Sequence, residues 1–272
     1  MKRRAFLGAA LGALAGGSLY GISSEPEALR IERIRVPVAD LSSDLEGFRI
    51  VALSDFHLYP FTQLPFLKEA IGVARGLNPD LIALLGDFVD SEVEAIDELW
   101  PALADLDARL GVCAILGNHD NRKGADIVAA GLRRAGVEVL LNRGVGLSVG
   151  RSQLWVGGVQ SQFGGQPDLG EALAGCPAGV TSVLLAHEPD VADDVANDGR
   201  VHLQLSGHSH GGQINVPGLV QHVLPQFGRK YPFGSYQVGD LFLHTSRGLG
   251  TTRVPVRFRS PPEVSEITLV RR

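Results

Sequence analysis

Asn118, His119 and Asp120 follow directly on a short apolar run. Together they offer a neutral oxygen ligand, an imidazole that titrates near neutrality and a carboxylate able to orient that imidazole. Gly117-Asn118-His119-Asp120 is also a good turn sequence, because Gly, Asn and Asp all favour turns. Four other apolar runs tip the balance toward chemistry, since they end in Asp55-x-His57, Asp87, His187 and His208-x-His210. Side chains placed just beyond buried strands sit where α/β sheets keep their reactive groups. Strand ends that supply His, Asp and Asn, and no Cys, suit a pair of hard divalent cations better than a structural zinc site. A carboxylate has two oxygens to share whereas an imidazole has one lone pair, so Asp87, between the other ligand-bearing segments, is the natural bridge. Two divalent ions held by four neutral His, Asn118, two carboxylates and a shared hydroxide keep one positive charge, which attracts an anion such as phosphate.

The elements that must position these residues read as follows. Residues 29–38 alternate apolar and charged side chains, as a half-exposed strand does. Residues 48–53, 81–85, 112–116, 182–186 and 201–205 are buried strands, and 137–141, 241–245 and 264–270 are further strands. Residues 145–149 and 154–156 form a hairpin. Helical spacing covers 64–76, stopping at Asn78-Pro79, and 125–135. Ser91-Glu92-Val93-Glu94 fits a capping box that opens a helix running to about residue 108. Residues 218–236, rich in Pro, Gly and aromatics, read as a long surface loop. Strand–helix alternation early and strand-rich sequence later point to two sheets packed together with helices outside.

A chain of 272 residues with 44% apolar and 20% charged side chains is an ordinary globular composition, with ample material for a core. Its net charge of −5 speaks against a nucleic-acid partner, which leaves a basic footprint. Cys113 and Cys176 have no metal-site spacing and are read as unpaired packing residues. His202, His222 and His244 lie off the ligand pattern and are read as ordinary surface or core histidines. Asp90 has two open readings, a neighbour of the site or a cap for the following helix. Arg122 is read as a solvated surface arginine and 227–233 as a solvated loop, although the first could reach a phosphate and the second could cover one.

Residues 1–28 are expected to be an export signal and short linker, followed by a single domain over 29–272. Lys2-Arg3-Arg4 is a positive start, residues 5–22 carry no charge, and Ala13-Leu14-Ala15 is a cleavage-like site. Arg3-Arg4-Ala5-Phe6-Leu7 is similar to a twin-arginine export signal, a route that carries proteins already folded. The expected location is therefore the periplasm or cell envelope. The alternative is an uncleaved N-terminal membrane anchor, for which the uncharged stretch is just long enough.

Asp55-Phe56-His57, Gly86-Asp87-Phe88-Val89-Asp90, Gly117-Asn118-His119-Asp120, His187 and Gly207-His208-Ser209-His210 resemble, in order, the motifs of the calcineurin-like metallophosphoesterases. The resemblance runs from about residue 49 to the C-terminus. It implies an α/β four-layer sandwich of two mixed sheets flanked by helices. It further implies two divalent metal ions (Mn, Fe, Zn or Mg), one held by Asp55, His57, Asp87 and His210, the other by Asp87, Asn118, His187 and His208. His119 is implied as the residue serving the leaving oxygen, with Asp120 orienting it. The segments 186–190, 208–214 and 246–250 resemble a bacterial branch whose members often carry twin-arginine signals and act on envelope phosphoesters. Some relatives hydrolyse the pyrophosphate of UDP-diacylglucosamine. The implied function is hydrolysis of a phosphodiester, phosphomonoester or pyrophosphate. Its implied partners are a phosphoester that includes lipid-linked ones, the twin-arginine machinery and, peripherally, a membrane. A non-catalytic metal-binding interaction module of the same fold and a nuclease are the alternatives. The first conflicts with the full set of motif residues, the second with the acidic balance and export signal. A purple acid phosphatase would carry Tyr three residues after the bridging Asp, where this chain has Asp90.

Overall fold

The computed structural model describes residues 25–272, so the expected export signal lies outside the described residues. The chain enters through a short 3-10 turn, Glu25–Glu27, and then runs β1 (Arg30–Val38), β2 (Arg49–Leu53), α1 (Leu64–Gly76), β3 (Leu81–Leu84), α2 (Ala95–Leu103), β4 (Val112–Ala114), α3 (Asn118–Arg134) and β5 (Glu138–Val139). It continues through β6 (Arg143–Val149), β7 (Ser152–Gly158), α4 (Leu169–Ala172), β8 (Thr181–Leu185), α5 (Ala192–Asp198), β9 (Leu203–Ser206), β10 (Gly234–Val238), β11 (Leu241–Thr245) and β12 (Glu263–Arg271). One sheet has the order β1-β12-β2-β3-β4-β5 and the other β10-β11-β9-β8-β7-β6. Within them β2, β3, β4 and β5 are parallel, as are β7, β8, β9 and β11.

Period-two alternation builds the layers. In β2, Ile50 and Ala52 face the second sheet, whereas Val51 and Leu53 face helices α1–α3. Leu154, Val156, Val183, Leu185, Leu203 and Leu205 come from the second sheet to meet Ile50, Ala52, Leu81 and Ala83 in the central layer. The outer face of the second sheet, with Trp155 and Leu184, packs on Ala172, Ala192 and Val195 of α4 and α5. The result is the expected four layers: helices, sheet, sheet, helices. In α1 the residues Phe66, Leu67, Ala70, Ile71 and Ala74 recur at helical spacing and are all buried, and the helix ends at Leu77 ahead of Asn78-Pro79.

Element α3 joins two helical stretches across a kink at Gly124 (φ 153°): the second is the helix expected over 125–135, and the first, from Asn118, adds to it. Three local expectations need correction. The 91–94 capping box does not form, because the Ser91 hydroxyl donates to Asp90 (3.3 Å) and α2 starts later, after Glu94, with no side-chain cap. The strand expected to run on to residue 116 stops at Ala114. The 218–236 segment is not all loop: it holds a 3-10 turn, Val220–His222, and the first residues of β10. Cys113 lies in the central layer and neither cysteine is paired.

The parallel alignment has one consequence for function: the C-terminal ends of β2, β3, β4, β8 and β9 all reach the same edge of the sandwich. Leu205→Ala, which empties a fully buried position between the sheets, should lower unfolding stability by about 2–5 kcal/mol. Urea denaturation measures it; a loss below 1 kcal/mol by that measurement (, roughly) would contradict the shared central layer.

Candidate functional site

Five of the seven candidate ligands hold left-handed backbone: Asp55 (φ 54°), His57 (φ 44°), Asp87 (φ 55°), His208 (φ 70°) and His210 (φ 52°). Non-glycine residues enter this region only when their surroundings force them to, at a cost of order 1–3 kcal/mol each. Here the forcing is visible. The Asp55 amide donates to Gly86 O at 2.9 Å, His57 N–H to Asp87 O at 2.9 Å, and Gly207 N–H to His187 O at 3.0 Å. Phe56 and Phe88, each the residue after a carboxylate, turn away from the site and stack with ring centroids 5.1 Å apart in the helix-side core. Close approach also demands glycine: a Cβ on Gly117 would collide with the Asp87 carboxylate, and one on Gly207 with Ser54 and Asp55.

Two groups of ligand atoms result, Asp55 with His57 and His210, and Asp87 with His187 and His208; within each, the atoms lie within 4.8 Å of one another. His57 Nε2 and His210 Nε2 face each other at 3.0 Å, and His210 Nε2 is 3.3 Å from Asp55 Oδ1. Asp87 joins the groups through a single oxygen: Oδ2 lies 3.4 Å from His57 Nε2 and 3.3 Å from His187 Nε2. Its other oxygen accepts the His119 amide at 2.7 Å. The tautomers follow from the outer contacts. His187 Nδ1 donates to Leu85 O (2.6 Å), His57 Nδ1 to Asp90 (3.0 Å) and His208 Nε2 to Gln226 O (2.9 Å), which leaves one lone pair of each ring for the site.

Burial acts to raise the Asp55 and Asp87 carboxyls, yet His210 beside the first and His187 beside the second outweigh it and hold both below the usual range. Burial likewise opposes a charge on His57, but its hydrogen bonds to the Asp55 and Asp90 carboxylates push it up to about 10, so a cation entering the site displaces the proton from its inner nitrogen. His210, for which burial dominates, falls to about 3 and keeps a free lone pair. The donor set fits two cations. Asp55 and Asp87 are 0% and 2% exposed, and the buried Asn118 Oδ1 and His187 Nε2 have no hydrogen-bond partner among the described residues. A buried polar atom left unpaired costs roughly 1–3 kcal/mol, and a metal ligand is the ordinary reason to accept it.

The structure brings all nine sequence-predicted site residues to this edge but exchanges two roles. Asp120 does not orient His119. Its oxygens accept the amides of Asp87 (2.8 Å), Phe88 (2.8 Å), Val89 (3.3 Å) and Gly117 (2.9 Å), because a carboxylate in the first turn of α3 points back at its own helix start. The carboxylate facing His119 is Asp90, at 3.2 Å from Nδ1. Asp90 also receives His57 Nδ1 and the Thr252 hydroxyl (2.9 Å). Burial would raise its carboxyl, but the hydrogen bonds from His119 and His57 hold it far below the usual range. Thr252, Gln213, Gln226 and Arg257 were not readable as site residues. Gln213 pins the backbone of Thr252 and Val254, and the buried Arg257 holds the carbonyls of Arg247, Gly248 and Gly250 beside Asp55. His202 hydrogen-bonds Ser182, His244 hydrogen-bonds Glu263, and His222 is exposed, so none joins the two groups.

The site opens into a cleft of about 460 Å³ lined by Asp87, Asn118, His119, Arg122, His208 and His210 with apolar walls that include Phe163, Ile214 and Val254. Arg122 is exposed, and it also stands on the cleft wall.

The profile of the family described as calcineurin-like phosphoesterase matches residues 48–212. The metallophosphoesterase YkuE of Bacillus subtilis is 35% identical over 281 residues, covering 99% of this chain and 98% of its own. Phosphodiesterase YaeI of Escherichia coli is 30% identical, covering 99% of this chain and 100% of its own. Among solved structures, TT1561 of Thermus thermophilus superposes with a TM-score of 0.52 at 13% identity, covering 75% of this chain and 90% of its own.

Asp120→Asn should lower stability by about 1–3 kcal/mol, because an amide nitrogen cannot accept the N–H groups one carboxylate oxygen now holds. An unchanged urea midpoint would contradict the clamp.

Proposed function

This chain belongs to the calcineurin-like phosphoesterase family of metal-dependent phosphoric ester hydrolases, and we propose that it cleaves a phosphodiester of an envelope lipid or nucleotide-linked lipid. The observation that carries the reading is the Asp87 carboxylate, whose one oxygen faces imidazoles of both ligand groups. We assign Asp55, His57, Asp87 and His210 to one ion and Asp87, Asn118, His187 and His208 to the other. Two divalent cations there would polarise the phosphoryl oxygens and acidify the attacking water.

The protein's own groups do the rest. His119 lines the cleft and its Nδ1 is committed to Asp90, which leaves Nε2 to give a proton to the departing oxygen while the carboxylate behind the ring stabilises the charged imidazole. The His119 amide also fixes Asp87 Oδ1, so the proton donor and the shared ligand are placed by one residue. Arg122 on the cleft wall is positioned to pair with a phosphate oxygen. A diester is favoured over a monoester or pyrophosphate by the apolar wall beside the site, which suits a second organic substituent, and by the activity in the name of the YaeI relative. Apolar lining likewise supports a lipid-bearing substituent.

His119→Ala should retain both metals by elemental analysis while losing about 10²–10⁴-fold in turnover of an aryl phosphodiester. Asp87→Ala should lose the metals and, with them, the activity. Full turnover in either variant would show the assignment wrong.

Export by the twin-arginine route is proposed on Arg3-Arg4-Ala5-Phe6-Leu7 alone. Replacing both arginines, Arg3→Lys with Arg4→Lys, should strand the protein in the cytoplasmic fraction; undiminished recovery from the envelope would refute that route.

A further inference from the structure

Two segments, residues 207–239 and 247–262, contribute to the cleft, the first through residues within 208–226 and the second through 252–254. Among the described residues seven large apolar side chains are exposed, and four of them, Ile214, Leu219, Val223 and Val254, fall in these segments. Three of the four line the cleft itself. Single exposed apolar residues need no explanation, but a group gathered round one opening does.

Charge is distributed with the same bias. The chain carries −5 overall, yet neither segment contains a single Asp or Glu. Of their cations, Arg257 is buried, Arg247 is paired with Glu263 and Lys230 with Asp193. Arg229, Arg253 and Arg259 are exposed and have no ion-pair partner among the described residues. Arg253 lines the cleft beside Val254.

Topology places the chain's entry on this edge too. Strand β12 is antiparallel to β2, so its first residue, Glu263, lies at the end where β2 delivers Asp55. Arg30, the first residue of β1, pairs with it. Just upstream, the Glu25 carboxylate accepts the Ser260 amide (2.7 Å), and the Ser260 hydroxyl donates to His210 O (2.6 Å). Glu25, the first of the described residues, is therefore two hydrogen bonds from a candidate ligand. Among the described residues no helix is long and apolar enough to cross a membrane.

We propose that this face docks on an anionic phospholipid bilayer. Ile214, Leu219, Val223 and Val254 enter the headgroup layer, and Arg229, Arg253 and Arg259 meet lipid phosphates. The cleft then opens onto the membrane surface, where a lipid phosphodiester reaches the site without leaving the bilayer. Apolar insertion and basic attraction together are what surface binding requires, since neither alone gives stable attachment. The proposal rests on the phosphodiesterase reading for what the face delivers, but docking itself is measured without turnover.

The test uses metal-replete, full-length protein carrying Leu219→Trp, or Asp107→Trp as a control at the opposite edge, with vesicles of phosphatidylglycerol and phosphatidylcholine whose acyl chains are brominated. Emission is read as the difference from protein holding only the native Trp100 and Trp155. Leu219→Trp should shift to shorter wavelength and be quenched, and Asp107→Trp should do neither. Arg253→Glu with Arg259→Glu should weaken binding roughly tenfold or more, and pure phosphatidylcholine should bind more weakly than the anionic mixture. Quenching at neither tryptophan, or equally at both, overturns the proposal. The second pattern is what tethering by the N-terminal stretch alone produces. Quenching at Leu219→Trp in protein that cleaves no aryl phosphodiester would keep the docking face and remove the catalytic reading, and the reverse result would remove the face alone.

Discussion

Two carboxylates with almost no exposure to water, Asp55 and Asp87, share one end of a two-sheet sandwich. Ionised groups cannot be buried without compensation, because their lost hydration is worth several kcal/mol even after relaxation (, roughly). Much of the architecture can be understood as an answer to that demand. Parallel strands from both sheets bring imidazoles to the same edge. The outer nitrogens of three rings are tied to Asp90, Leu85 and Gln226, so that the inner lone pairs converge. Of the five ligand positions with left-handed backbone, Asp55 and His57 are held by amide hydrogen bonds to Gly86 and Asp87 in the neighbouring loop. Rigid strands supply the coordinates, and local strain supplies the final direction of each side chain.

The ligand set was legible from the chain because chemistry and position coincide. Apolar runs end abruptly in His, Asp or Asn, and parallel strands must then present those residues together. The layer order was legible for a similar reason, since runs buried on both faces require covering elements on both sides. The roles of Asp90 and Asp120 were not. Adjacency in sequence made Asp120 the obvious partner of His119, but the first turn of α3 rotates consecutive side chains apart, and the Asp120 carboxylate finds four amides instead. Asp90, 29 residues before His119 in the chain, arrives through the β3 loop. No local pattern records such a meeting. Nor could spacing reveal Thr252 or Arg257, whose importance comes from what the C-terminal segment packs against.

The same division runs through substrate choice. The metal-binding edge is built at the strand ends, whereas much of the cleft wall comes from residues further along the segments after β9 and β11, joined by Arg122 and Phe163. Those walls have little regular structure, lack acidic residues and expose apolar side chains, so they set what reaches the site without altering its geometry. A catalytic centre fixed by strand ends can in this way accept different organic groups through changes confined to two segments.

The central claim is that Asp87 is shared between two cations, and anomalous diffraction from crystals of metal-replete protein examines it directly. The account predicts two peaks about 3.5–4 Å apart. Asp87 should touch both, Asp55, His57 and His210 the first, and Asn118, His187 and His208 the second. A single peak, or two ions of which one is not bound by Asp87, would contradict it.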